Sequence, residues 1–152
     1  MLTETLKSLF KRDLNKLRAE ITAYKTESNI WIVDQTISNS AGNLCLHLIG
    51  NLNTYIGATL GGTDYIRNRE LEFSLKNVPR TILIQKVEET LSVVDAALDL
   101  LTIEQIEKEY PLLVLEEKTS TEFFLVHLTT HLAYHLGQIN YHRRLLDLNP
   151  VN

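Results

Sequence analysis

Apolar residues recur along most of this chain at steps of three and four, which is the period of an α-helix with one buried face. Helix punctuation supports the pattern: Gly61-Gly62 predicts the end of the second helix, and Pro79 stands in the first turn of the third, where proline is favoured. The four long helices predicted in this way span about residues 2–27, 40–60, 79–101 and 121–149, the last being capped by Ser120 or Thr121 and ending near Asn149-Pro150.

The segments between these helices have weaker patterns. Residues 28–39 are predicted to form a connector that packs on the end of the helices, and residues 63–78 carry many charges with little periodicity. Thr102 and Gln105 fit a capping box that opens a short helical turn, whereas residues 111–121 look extended, with a short strand as one interpretation. Four long helices in 152 residues predict one all-α domain spanning 1–152, a four-helix bundle with a long crossover connection before the last helix.

Composition narrows the classes of function. Hydrophobic residues at 44% and charged residues at 22% are ordinary for a soluble domain. A net charge of −4 without a basic block argues against nucleic-acid binding. Cys45 is the single cysteine, so the sequence has no pair for an intramolecular disulfide. The first residues lack the apolar run of a signal peptide and no window resembles a membrane span, so we expect a cytoplasmic protein without a membrane partner.

Histidines concentrate in the last predicted helix, which contains four of the five. His127, His131 and His135 are spaced four residues apart and therefore share one helix face. The His131–His135 spacing is the one that two imidazoles on adjacent turns need to reach a single ion. Leu132 follows His131, so the H-E-x-x-H pattern of metalloproteases is absent. For His127 a role beside the ligands or in the core is favoured over ligation, and His142 is interpreted as structural.

The fifth histidine, His47, lies in a polar stripe along the second predicted helix. No Lys, Arg, Asp or Glu occurs between Thr36 and Thr63, and a solvated helix face is rarely so uncharged. We therefore predict that the stripe lines an enclosed site rather than an exposed face. The members of the stripe are Ser40, Asn43, His47, Asn51 and Thr54.

Together these patterns predict that His47, His131 and His135 meet around one divalent metal ion. Three neutral imidazoles leave coordination positions open for water or substrate, as catalytic sites require. Nitrogen-rich ligation suits zinc, nickel or another late first-row ion, and the sequence does not choose among them. The alternatives are a metal-binding bundle without catalysis and a bundle whose histidines are merely packed.

Three segments resemble those of the DinB-like proteins. They are NSAGNLCLHLIGNLNTYIGATLGG, which is similar to their metal-binding helix, YIRNRELEF, and HLTTHLAYHLGQINYHRR, which contains an H-x-x-x-H-x-G-Q pattern. The resemblance implies a four-helix bundle, a homodimer, and a histidine triad from the second and last helices. Carried over residue by residue, the triad falls on His47, His131 and His135. Characterised relatives include thiol-dependent S-transferases and a thiol-dependent isomerase, and other members are linked to DNA damage.

The resemblance also implies a mechanism, in which the metal activates a low-molecular-weight thiol, or water, toward a small-molecule substrate. Asn51, Tyr55 and Tyr134 are expected to orient a ligand, while Gln138 is expected to satisfy buried polar groups. No residue is assigned as a general base. The alternative function is a noncatalytic, dimerising stress-response bundle that binds metal.

The charged segment between the second and third predicted helices has two interpretations. Arg67 and Arg69 are able to recognise a carboxylate on a substrate or thiol cofactor by paired hydrogen bonds. The favoured alternative is an ion-pair network with Glu70 and Glu72 that ties this segment to the bundle.

Overall fold

The computed structural model describes residues 2–148, and the regular elements there are helices. The prediction of an all-α fold is therefore confirmed. The predicted end of the last helix at Asn149-Pro150 lies outside the described residues. In chain order the helices are α1 (Leu2–Ala23), α2 (Ala41–Leu52), α3 (Arg69–Ser74), α4 (Arg80–Leu100), α5 (Ile103–Glu107) and α6 (Thr121–Leu146), with a 3₁₀ turn at Glu27–Trp31 and a π-helical turn at Asn53–Ala58.

Four of these helices surround the hydrophobic core. α1 packs against α4 and α6, and α2 packs against the same two helices, so that α1 and α2 touch each other only slightly. These neighbour relations favour the predicted four-helix bundle, in which residues 101–120 form the crossover before α6. The most completely buried core side chains include Leu6, Phe10, Leu14, Leu48, Leu52, Tyr110 and Phe124.

Every residue of α2 is buried, which explains why this stretch of sequence has no charges. Ser40 caps the helix by accepting a hydrogen bond from the backbone N–H of Asn43. Gly50 leaves room for the carboxylate of Glu72, which lies where a Cβ atom would be. The helix then widens into the π-helical turn, which ends at Ala58. Gly62 follows after a turn, and its φ of 68° suits glycine.

The connection from α4 to α6 differs in part from its prediction. Thr102 and Gln105 form the expected capping box, and Ser120 caps α6 by accepting from the N–H of Phe123. The short strand considered for residues 111–121 does not form, and residues 2–148 contain no strand. Glu109 and Ser120 make an isolated antiparallel bridge that closes the loop between them. In the same part of the chain no helix is both long and apolar enough to cross a membrane.

Candidate metal centre

The fold brings His47 of α2 against His131 and His135 of α6. The Nε2 atoms of His47 and His131 are 3.3 Å apart, and the three ring centroids are separated by 4.6 to 5.2 Å. One nitrogen from each ring lies within 4.8 Å of the other two, so the three side chains are close enough to hold a metal ion. His47 is buried, and the two α6 histidines are partly exposed.

Hydrogen bonds at the far side of two rings fix which nitrogen faces the cluster. Nδ1 of His47 lies 3.1 Å from Oε1 of Glu72, and Nδ1 of His135 lies 2.6 Å from Oε1 of Gln138. Since both partners are acceptor oxygens, Nδ1 carries the proton in each histidine. The Nε2 atoms of His47 and His135 are therefore left with free lone pairs, the form in which imidazole binds a metal.

The distance between the two Nε2 atoms fits a metal centre. Two nitrogens bound tetrahedrally to zinc at about 2.0–2.1 Å are separated by about 3.3–3.4 Å, which agrees with the 3.3 Å between His47 and His131. At that distance two lone pairs repel each other unless a proton or a cation lies between them. The donor set present in the chain thus suits a late first-row ion.

The surroundings also favour the neutral forms of His131 and His135. Burial, together with the neighbouring His135 and His47, lowers the pKa of His131 to about 4. Burial likewise lowers the pKa of His135, against the opposing effect of its hydrogen bond to Gln138. Neutral imidazoles need not lose a proton before they bind a cation.

Glu72 of α3 belongs to this centre as the carboxylate behind His47. Burial raises its pKa, but hydrogen bonds from Arg67 and His47 outweigh burial and hold the pKa below its usual value. Arg67 donates through Nε and Nη2 to the two carboxylate oxygens, both at 2.8 Å. The charged carboxylate therefore orients the His47 ring and raises its basicity as a ligand, as carboxylates behind metal-bound histidines do.

Asn43 holds α3 in place to make this contact. Its side-chain N–H groups donate to the backbone carbonyls of Glu72 at 2.9 Å and Leu75 at 2.8 Å. Four members of the polar stripe, Ser40, Asn43, His47 and Asn51, are buried, and Thr54 is half-buried. The first two members, Ser40 and Asn43, anchor the helix start and the α3 segment, and His47 alone among the stripe contributes to the cluster.

The charged segment follows the ion-pair interpretation for one arginine. Arg67 is committed to Glu72, and its Nη1 also lies 3.4 Å from the hydroxyl of Tyr55. Arg69 instead places its guanidinium 5.2 Å from the ring centroid of Phe73, and Glu70 is exposed. Arg67 is thus not an unengaged carboxylate receptor, whereas Arg69 is exposed.

The remaining predicted residues surround the cluster in different ways. His127 stacks between Phe124 and His131 and is not among the converging ligands. Tyr134 is 66% exposed and meets the His135 ring edge-on. Asn51 is buried, and within the described residues its Oδ1 has no hydrogen-bond partner. The side chain of Gln138 accepts a hydrogen bond from Nδ1 of His135, a partly buried polar group, and makes no hydrogen bond to the backbone within the described residues.

Comparison with known proteins identifies the family to which the chain belongs. No curated protein matches the chain. The model of a family described as "Protein of unknown function (DUF1572)" matches residues 3–150, nearly the whole chain. The chain therefore belongs to DUF1572, which is a DinB-like family.

Proposed function

We propose that this protein is a metal-dependent enzyme that binds one divalent ion, zinc or nickel, through His47, His131 and His135 and acts on a small thiol. The observation that supports this most strongly is the 3.3 Å approach of two Nε2 atoms whose rings come from different helices. Two imidazole nitrogens at this distance need a proton or a cation between them, and the third ring nearby makes the cluster suitable for a divalent ion.

Three histidine ligands leave at least one coordination position for a substrate. When bound, a divalent ion lowers the pKa of a thiol or water that coordinates it and so supplies a nucleophile at neutral pH. The three histidines add no negative charge of their own, and the nearest carboxylate, Glu72, is neutralised by Arg67. The positive charge of a bound ion would therefore remain available to stabilise an incoming ligand.

The side chains around the centre are held in place before any ligand arrives. Glu72 fixes the His47 ring from one side, and the Phe73 ring packs against it with centroids 5.1 Å apart. Gln138 fixes His135, while the exposed Tyr134 lies at its solvent side. Such preorganisation holds the histidine nitrogens that would bind the metal in fixed positions, so they need not move during a reaction.

The first test is metal analysis by mass spectrometry on protein purified without a histidine tag. We expect about one zinc or nickel ion per chain, as one three-histidine centre predicts. His47→Ala and His131→Ala should each remove the ion, with Phe123→Ala, an exposed residue of α6, as the control. Unchanged metal content in the histidine variants would refute the site.

The second test separates catalysis from binding alone. Metal-loaded and chelator-treated protein is assayed with a panel of cellular thiols and a chromogenic electrophile, and with chromogenic esters for hydrolysis. We expect thiol-dependent turnover that is lost with the metal. Metal binding without any metal-dependent turnover would instead support the noncatalytic bundle. The homodimer implied by the family resemblance stays a prediction, which sedimentation of the same preparation tests.

A further inference from the structure

A cavity of about 500 Å³ opens beside His135. It lies between the connector that precedes α2, the first turn of α2 and the C-terminal half of α6. Its volume is typical of small-molecule sites. His135 is the member of the histidine cluster that lines the cavity, so a molecule bound here would lie next to the metal centre.

The walls of the cavity are apolar and aromatic. Ile37 comes from the connector, Leu44 from α2 and Leu145 from α6. Tyr134 and Tyr141 are seven residues apart on α6, nearly two full turns, and therefore project from the same face. Both rings are exposed, at 66% and 64%, and so offer flat surfaces to a ligand.

The lining carries no Lys, Arg, Asp or Glu side chain. Close to the cavity, Arg143 is paired with Glu20 at 2.6 Å, and next to the cluster Arg67 is paired with Glu72. In the metal-free protein, a carboxylate or phosphate that entered would lose water without meeting a charged side chain of the lining, which is unfavourable. Outside the lining, the guanidinium of Arg144 lies 5.5 Å from the centroid of the Tyr141 ring. The lining itself therefore favours an uncharged ligand.

Several polar groups around the cavity are nevertheless available for hydrogen bonds. Among residues 2–148, the side chains of Thr36, Ser38 and Asn39 have no hydrogen-bond partner in the protein, and the same holds for the hydroxyls of Tyr134 and Tyr141. By contrast, His142 at the far end has both ring nitrogens engaged. Apolar walls with a few unengaged polar groups are the usual composition of a specific small-molecule site.

We infer that this cavity binds an uncharged small molecule with an aromatic or similarly flat apolar part, which lies against His135. Its role as a substrate rests on the proposed metal-dependent function. Its binding does not, because the walls and the hydrogen-bonding groups belong to the protein alone.

The test is a methyl NMR titration with two probes of the same ring size, β-naphthol and the anionic β-naphthoate, at pH 7. We expect naphthol to shift the methyl signals of Ile37, Leu44 and Leu145 but not those of Ile66, which is 90% exposed elsewhere. In metal-free protein, naphthoate should bind at least about tenfold more weakly because its charge loses hydration. Zinc-loaded protein is titrated in parallel.

Variants connect the shifts to the cavity. Tyr141→Ala should weaken naphthol binding about 2- to 10-fold by removing a stacking surface, and Thr36→Trp should weaken it by filling the space. Phe123→Ala, which removes an exposed ring of α6 outside the cavity, should have no effect. These residues are exposed, so the fold should survive each change, which circular dichroism checks.

The outcomes separate this inference from the proposed function. The inference would be overturned, whatever the metal content, if both probes bound metal-free protein equally well. It would also be overturned if naphthol caused no shifts, or if Tyr141→Ala and Thr36→Trp left its shifts unchanged. Naphthol binding that persists in His131→Ala supports the cavity independently of the metal.

Discussion

The middle of α6 and its C-terminal end place histidine in opposite environments. Near the C-terminal end, His142 is 4% exposed, with Nδ1 2.7 Å from the hydroxyl of Tyr24 and Nε2 2.9 Å from the carbonyl of Ile32. Because a carbonyl only accepts, Nε2–H donates to Ile32 and Nδ1 accepts from Tyr24. Two turns earlier, His135 has one nitrogen engaged by Gln138 and the other directed to its fellow histidines.

The difference shows that burial alone does not reveal what a histidine does. A neutral imidazole with both nitrogens bonded is a complete structural element, with nothing left for a ligand. An imidazole held at Nδ1 by a carboxylate or amide, with Nε2 facing another imidazole, is arranged as a metal ligand. The partners of the two nitrogens therefore distinguish the two roles.

The largest effect on zinc affinity is expected when one of the three histidines of the cluster is replaced. His131→Gln should weaken zinc binding more than about 100-fold, beyond what the loss of a supporting residue costs, because one of three ligands is gone. His127→Gln, one turn earlier on the same face, is the matched control and should change affinity less than about twofold. Competition with a chromophoric chelator measures both. An equal loss in the two variants would show that His127 is a ligand as well.

Removing the carboxylate behind His47 should have the next largest effect. Glu72→Gln keeps the shape of the side chain but loses the charge that orients the ring, and should weaken zinc binding about 10- to 100-fold. Glu70→Gln, on the same short helix but exposed, is the control. If Glu72→Gln lowers only the thermal midpoint and leaves affinity intact, the carboxylate merely fastens α3.

A substitution that removes a partner of His142, near the C-terminal end of α6, should lower the stability of the fold and leave the metal affinity unchanged. Tyr24→Phe removes the hydroxyl that donates to His142 and leaves a buried acceptor unpaired, which should lower the free energy of unfolding by about 1–2 kcal/mol. Urea unfolding followed by the fluorescence of Trp31 measures it. Tyr134→Phe, whose ring is exposed, should leave stability unchanged. A change in the zinc affinity of Tyr24→Phe would contradict the view that His142 has a structural role separate from the histidine cluster.

The smallest effect is expected at Asp147, just beyond α6. Burial raises the pKa of this carboxyl, but hydrogen bonds from the backbone N–H groups of Lys25 and Thr26 and from Asn29 outweigh burial and lower it. Asp147→Asn should lower the free energy of unfolding by about 1 kcal/mol at pH 7. Urea unfolding across a pH series measures the difference, and Asp34→Asn, in the exposed connector, is the control.

The sign of the pH dependence follows from the lowered pKa. The folded-state pKa lies below the unfolded value of about 3.9, so the carboxylate stabilises the fold fully above that value. This contribution is lost as the pH falls through the folded-state pKa. The wild type and Asp147→Asn should therefore converge in acid, and a difference that persists there would mean that the charge is not its source.

The sequence was sufficient for the parts of this molecule that depend on local spacing. The apolar period located the long helices, and the four-residue step placed His131 and His135 side by side. The prediction that α1 extends to residue 27 was wrong, since it ends at Ala23. The N–H groups of Lys25 and Thr26 bond Asp147, a partner more than a hundred residues away, instead of continuing the helix.

Glu72 shows why the rest of the site was not predicted. It lies 25 residues from His47 in a segment with weak periodicity, so no spacing rule connects the two. Their contact depends on Asn43 holding the α3 backbone and on the missing side chain at Gly50. The glycines of the second helix make room for different neighbours, since Gly42 faces the ring of Trp31, Gly50 faces a carboxylate and Gly57 faces Val93 of α4.

The shortness of α3 links retention of an ion to a local opening of the fold. A helix of six residues is not stable by itself, and α3 remains formed because its backbone is fastened to Asn43. An opening of this segment would remove the hydrogen bond to Glu72 that orients the His47 ring. By reciprocity, an occupied centre must hold the segment down more firmly. If the metal centre is occupied, residues 69–75 should therefore take up deuterium more slowly than in metal-free protein, although none of them binds the ion.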